Sequence, residues 1–221
     1  MELSQGALFE VPRWMAAFDE VVPFHDEMTQ ELLDLIDTAP HDVSTRFLAQ
    51  QTPCDPFLLP SPGWRLLEQL SNECYSKIAK RHFQRWRTGE FHLRRWAIKF
   101  GTLSKDDKKR MRRDGIHNHL PALFSSIYYL RVPPEFDDHD AGGTLFVNPI
   151  GNLMDLMSPR SAIIAPKEGR FVIFPAFVDH TPIPCEWDAS GVPRIVVSTD
   201  IFYVSGESMG STGSNVLRAN V

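Results

Sequence analysis

Two stretches near the N-terminus carry apolar residues at helical spacing. Between Phe24 and Ile36, the residues Met28, Leu32, Leu33 and Ile36 fall on one side, and Asp26 and Glu27 come early, where acidic groups favour the positive end of a helix dipole. A second stretch, from about Pro62 to Trp86, repeats the pattern with Leu66, Leu67, Leu70, Tyr75, Ile78 and Phe83 among Glu, Lys and Arg. Both read as amphipathic braces rather than as parts of a site. From Phe91 the period changes. Short runs rich in Ile, Val, Phe and Tyr, punctuated by Pro, Gly and Asp, predict strands near 91–100, 123–132, 143–148, 161–165, 170–175 and 193–204. Turns are expected at Pro133-Pro134, Asp137 to Gly143, Lys167-Glu168-Gly169 and Asp188 to Gly191.

Strands that follow helices, without helices alternating between them, imply a mainly β fold: a sandwich or jelly roll flanked by helices. A doubly wound parallel sheet is disfavoured. With 221 residues, 43% of them hydrophobic, the chain can bury one full core. It is therefore expected to form a single domain over 1–221, with a mostly helical flank (1–90), a β core (91–204) and a flexible tail (205–221). The Ser/Gly-rich run SGESMGSTGSN within that tail is weakly apolar.

Composition removes several function classes. A net charge of -5 gives no general attraction to polyphosphate, so no nucleic-acid partner is expected. Basic charge is concentrated locally in 105–113, KDDKKRMRR, read as a solvated loop or short helix or, alternatively, a lid or acidic-substrate contact. The apolar run Phe171 to Val178 is far shorter than the roughly 20 residues that span a bilayer. No membrane partner is expected, and the first twenty residues lack the basic-then-apolar pattern of a signal peptide. Cys54, Cys74 and Cys185 form no CxxC pair, which suits a reducing, cytoplasmic setting.

The chemistry concentrates in the strand-rich half. His117-Asn118-His119 lies just before the strand that starts near Leu123. In extended chain, residues two apart project to the same side, so both imidazoles can converge on one point. Neutral imidazole is a favoured ligand of first-row transition metals. A third histidine, His180, follows the apolar strand Gly169 to Phe174, where a jelly roll would bring it to the barrel mouth. Taken singly, each histidine reads as an ordinary solvated or strand-end residue; the three together read as a metal site. Arg194 opens the last strand as a cation among apolar neighbours. Taken by itself it reads as an arginine at the strand's exposed start; an arginine entering a barrel interior needs an anion, and its planar fork suits a carboxylate.

The order HxH, Ile-Tyr-Tyr-Leu, Gly-Gly-Thr-Leu-Phe, Ile-Ala-Pro-Lys-Glu-Gly-Arg-Phe-Val-Ile-Phe with His180, then Arg194 resembles the double-stranded β-helix oxygenases that use iron(II) and 2-oxoglutarate. It is most similar to prolyl-hydroxylase-like members and to a group of bacterial and phage oxygenases. The resemblance covers residues 91 to 204 and implies a double-stranded β-helix of the jelly-roll, cupin-like kind. It implies an Fe(II)- and 2-oxoglutarate-dependent dioxygenase that couples decarboxylation of 2-oxoglutarate to succinate with hydroxylation of a substrate, using O₂. By the same resemblance His117 is the first ligand of the family's HxD/E motif and His180 the distal histidine. Arg194 pairs with the C5 carboxylate of 2-oxoglutarate, and Tyr129 offers a hydroxyl to the same group or serves as a barrel-wall aromatic.

Two departures stand out. The carboxylate of HxD/E is replaced by His119, which makes three histidines the expected metal ligands unless Asp114, Asp138, Asp140 or Asp179 intervenes. The Ser/Thr often found two residues after the arginine is Val196. Gly142-Gly143 reads as a turn that starts a strand, and Trp96 and Phe124 as pocket-lining or core aromatics. Two other readings compete. One is a cupin-like three-histidine metalloenzyme that does not use 2-oxoglutarate. The other is a non-catalytic β-sandwich binding module in which the histidines are incidental.

Overall fold

The structure, a computed structural model, describes residues 18–38, 42–44, 49–82, 89–100, 115–134, 142–149, 161–183, 192–205 and 215–217. In chain order its elements are strand β1 (Phe18–Asp19), helix α1 (His25–Thr38), strands β2 (Asp42–Ser44) and β3 (Ala49–Gln51), and helix α2 (Pro62–His82). There follow β4 (Gly89–Phe100), β5 (Phe124–Arg131), β6 (Thr144–Val147), β7 (Ser161–Ile164), β8 (Arg170–Pro175), β9 (His180–Pro182), β10 (Arg194–Ser205) and β11 (Asn215–Leu217). Both expected helices and all six expected strands are present. The basic segment 105–113 and the end of the second helical pattern, 83–86, lie outside the described residues.

The strands form two sheets. The larger has the order β1-β8-β5-β10-β4-β3-β2, with β11 also on β4, and the smaller has the order β7-β6-β9. Every strand pair among the described residues is antiparallel. The N-terminal flank is thus not only helical: β1 joins β8, and β2-β3 extend the sheet beyond β4. Within the tail expected to be flexible, Asn215–Leu217 pairs with Leu93 to Phe91. A short stretch with Val216 and Leu217 can take up the open hydrogen bonds of β4 despite the Ser/Gly-rich run before it.

Strand parity explains why β5, β8 and β10 look almost continuously apolar: both faces of the larger sheet are covered. On one face Leu93 and Ala97 of β4, Phe124, Tyr128 and Leu130 of β5, Phe171 and Ile173 of β8, and Ile195, Val197 and Ile201 of β10 are buried together with the helices. From α1 come Met28, Leu32 and Ile36, one turn apart, and from α2 Trp64, Leu67, Tyr75 and Ile78. The helices meet closely at Gly63, where a Cβ would stand 2.3 Å from Met28 Sδ and 2.8 Å from the Pro23 carbonyl. The Trp64 indole N–H donates to Glu31 Oε2 at 2.9 Å and ties the pair.

The other face belongs to the second core. Ile127 and Tyr129 of β5, Val172 and Phe174 of β8, Val196 of β10 and Phe100 of β4 pack with Phe146 of β6 and, at the margin, Ile164 of β7. The smaller sheet therefore lies across this face, and side chains of the opposite parity from the helix-facing set point between the sheets.

Candidate metal centre

His117, His119 and His180 come together at one end of the space between the sheets. His180 opens β9, opposite Phe146 of β6. The His117 N–H donates to the His180 carbonyl at 3.0 Å, and the His180 N–H to the His117 carbonyl at 2.8 Å. The His119 N–H donates to Ala176 O at 2.8 Å, just beyond β8. Main-chain pairing thus fixes both histidine-bearing segments against one another, and residues 117 and 119, two apart, present their rings to the same side.

The ring centroids lie 5.0 Å (His117–His119), 4.4 Å (His117–His180) and 5.0 Å (His119–His180) apart. One ligand nitrogen from each ring lies within 4.8 Å of the others. All three Nδ1 atoms are engaged: His117 with Gly115 O at 2.9 Å, His180 with Val178 O at 3.0 Å, and His119 with the Asp200 carboxylate at 2.9 and 3.1 Å. An imidazole that donates through Nδ1 carries its lone pair on Nε2. His119 Nε2 and His180 Nε2 stand 3.2 Å apart. That separation would let both nitrogens reach one ion at bonds of about 2.1 Å. With one ligand atom from each ring within 4.8 Å of the others, the three histidines could hold a metal ion.

Burial, reinforced by the neighbouring His117 and His119 and only partly opposed by the Val178 carbonyl, pushes the His180 pKa down to about 3. His180 is therefore neutral at neutral pH, the form that ligates metals. Trp96 stacks on His119 with centroids 5.9 Å apart, and Phe174 meets the His180 ring edge-on at 4.6 Å.

A cavity of about 350 Å³ adjoins the histidines and is lined also by Ile98, Phe100, Ile127, Val196 and Arg194. Arg194 is 2% exposed. Its guanidinium carbon lies 4.6 Å from the Phe100 ring centroid and 5.5 Å from that of Tyr129. A buried, always-charged fork held between aromatic faces beside a cavity is suited to an anion with a planar group. Tyr129 is fully buried beneath it, and its hydroxyl shares a 2.8 Å hydrogen bond with Thr144 Oγ1, a residue of the cavity wall.

Trp96 and Phe124 part company. Trp96 lines the cavity, whereas Phe124 lies in the core beneath the helices, because even-numbered residues of β5 face the helices. Asp179 does not approach the imidazoles as a ligand; it accepts from Asn118 Nδ2 at 2.9 Å. Asp114, Asp138 and Asp140 lie outside the described residues. Among the described residues Asp200, which the sequence did not single out, reaches His119. Its parity was a usable signal: six residues beyond Arg194 on one strand, it shares the arginine's face.

Among the described residues no helix is long and apolar enough to cross a membrane. Residues 107–200 match the profile of the family described as "Putative 2OG-Fe(II) oxygenase". No curated protein sequence matches significantly. Among solved structures, a prolyl-4-hydroxylase from Pseudomonas putida superposes with a TM-score of 0.54 at 14% identity, over 86% of this chain and 92% of that one. The non-heme α-ketoglutarate-dependent epimerase SnoN of nogalamycin biosynthesis superposes with a TM-score of 0.51 at 15% identity, over 88% and 83%. A complex of SnoN with Fe³⁺, α-ketoglutarate and a nogalamycin compound gives the same score. At these identities the structures speak for the fold, which is a double-stranded β-helix flanked by helices. The match over 107–200 takes in all three histidines and Arg194, and makes that stretch similar to the 2OG-Fe(II) oxygenase family.

Proposed function

We propose that this protein is an Fe(II)- and 2-oxoglutarate-dependent hydroxylase in which His117, His119 and His180 hold the iron and Arg194 holds the C5 carboxylate of 2-oxoglutarate. The observation that carries this reading is the convergence of three imidazoles, each with Nδ1 tied off, on a cavity that also buries an arginine. Bound iron, with 2-oxoglutarate and O₂, supplies the oxidation: substrate C–H, 2-oxoglutarate and O₂ become substrate C–OH, succinate and CO₂.

The chain's own residues prepare that reaction. The carbonyls of Gly115 and Val178 and the carboxylate of Asp200 fix the ring orientations, so metal binding requires little reordering. The low pKa of His180 keeps its nitrogen unprotonated. Arg194 offers two parallel N–H groups to a carboxylate, and the apolar side chains of Phe100, Ile127 and Val196 in the cavity wall lower the local polarity, which strengthens that pairing. Tyr129 supports the guanidinium with its ring and remains a candidate donor to the same carboxylate through its hydroxyl.

The test is anaerobic loading with Fe(II), addition of 2-oxoglutarate, exposure to O₂ and detection of succinate by mass spectrometry, with and without candidate substrates. Wild type should form succinate slowly without substrate, and His180→Ala should not. Iron binding without any 2-oxoglutarate binding would instead favour a cupin-like three-histidine enzyme. Absence of iron binding would favour a binding module.

A further inference from the structure

Resting on the proposed three-histidine centre, we infer that Asp200 is the positioning residue that delivers, through His119, the negative charge which the HxD/E pattern places directly on the metal. The geometry is asymmetric. Two of the three imidazoles, His117 and His180, donate through Nδ1 to neutral main-chain carbonyls. His119, the residue standing at the carboxylate position of the motif, instead faces the carboxylate of Asp200, with Oδ1 at 2.9 Å and Oδ2 at 3.1 Å.

Asp200 is itself held for this role. It is 5% exposed on β10, and the hydroxyl of Ser125, its cross-strand partner on β5, donates to Oδ1. A buried carboxylate costs stability unless its partners are in place. Here they are one hydroxyl and one imidazole N–H. Trp96 stacks beside the His119 ring at 5.9 Å between centroids. An imidazole that donates to a carboxylate is a stronger ligand through its other nitrogen than one that donates to a carbonyl. The charge that an aspartate or glutamate at this position would bring is thus supplied one residue further out, relayed by a ring. The consequence is that His119 and Asp200 act as a unit in metal binding, whereas Asp179, closer in sequence to His180, does not.

The experiment compares wild type, Asp200→Asn and Ser125→Ala in anaerobic titrations with Fe(II) and with Co(II), recording the visible spectrum of the Co(II) forms at saturation and the melting of each metal-free protein. Asn can still accept from Nδ1 but carries no charge. Asp200→Asn should bind both ions roughly 10- to 100-fold more weakly, with a shifted Co(II) spectrum, while the metal-free protein stays folded. Ser125→Ala should lose several-fold in the same direction, because the carboxylate is less firmly held. Asp200→Asn affinity within about twofold of wild type, with an unchanged Co(II) spectrum, overturns the inference. Should Asp200→Asn fail to fold, Ser125→Ala decides: unchanged affinity and spectrum overturn it equally. Wild type that binds neither ion removes the three-histidine centre itself, whereas tight binding by wild type and Asp200→Asn alike removes only the role of Asp200.

Discussion

Arg194→Ala should separate co-substrate binding from metal binding. The guanidinium is 2% exposed and flanked by Phe100 and Tyr129 at 4.6 and 5.5 Å, so a carboxylate reaching it is paired away from water. Two parallel hydrogen bonds between charged groups contribute about 1.5–3 kcal/mol each. Removing one partner of a buried ion pair costs about 3–5 kcal/mol, because the other charge is stranded. At about 1.4 kcal/mol per decade, that lower range predicts a loss in 2-oxoglutarate affinity of roughly 150- to 4,000-fold. Arg194→Lys should fall between, since a point charge replaces a fork. Arg194→Met removes the charge but keeps an unbranched side chain between the two rings, and so controls for lost packing. The assay is calorimetric titration of 2-oxoglutarate into anaerobic Fe(II)-loaded protein, with the iron affinity measured in parallel. Iron affinity should change by no more than a few-fold, because Arg194 is not among the converging imidazoles. Equal 2-oxoglutarate affinity in wild type, Arg194→Ala and Arg194→Met would refute the assignment of the arginine to the C5 carboxylate.

Three further predictions concern the centre and the frame. His119→Ala should abolish tight Fe(II) binding in anaerobic titration, since two imidazoles remain, and should lower the melting temperature of the metal-free protein by leaving the Asp200 carboxylate without its imidazole partner; His119→Asp restores the HxD pattern and should bind Fe(II) measurably more tightly than the alanine variant. The His180 pKa is depressed from 6.5 to about 3, so below pH 6.5 the unfolded chain takes up a proton that the folded chain refuses. Stability of the metal-free protein should therefore be fully present above pH 6.5 and fall as pH drops toward 3, and urea unfolding across this range should show a shallower slope in His180→Gln. Gly63→Ala should destabilise the protein by about 1–3 kcal/mol in thermal or urea unfolding, because the added methyl meets Met28 Sδ at 2.3 Å and the fixed Pro23 carbonyl at 2.8 Å; unchanged stability would show that α1 and α2 can separate freely there.

Much of this molecule is written in local periodicity. The three-to-four residue repeat of Met28, Leu32 and Ile36 and the two-residue repeat of β5, β8 and β10 specify helix and strand because the backbone geometry of each element dictates which side chains share a face. The same rule made the HxH legible as two rings on one side, and the position of His180 after an apolar strand legible as a site at the sheet's end. For Arg194 the sequence left two readings, an exposed strand start or an interior cation that meets an anion, and the fold buries it. Which side chains touch across strands is another matter. Register is set by the whole pattern of pairing between sheets, and parity names a face without naming the neighbour. Asp179, one residue from His180, was one of four acidic candidates in the sequence, yet it turns away toward Asn118. Asp200, 81 residues from His119, reaches it because β10 pairs with β5 so that Asp200 lies beside Ser125, and because the segment ahead of β5 is stitched to the turn beyond β8. Sequence spacing determined which residues could bind a metal; the tertiary register decided which carboxylate stands behind them, since hydrogen bonds depend on separations of about 3 Å that no local pattern encodes.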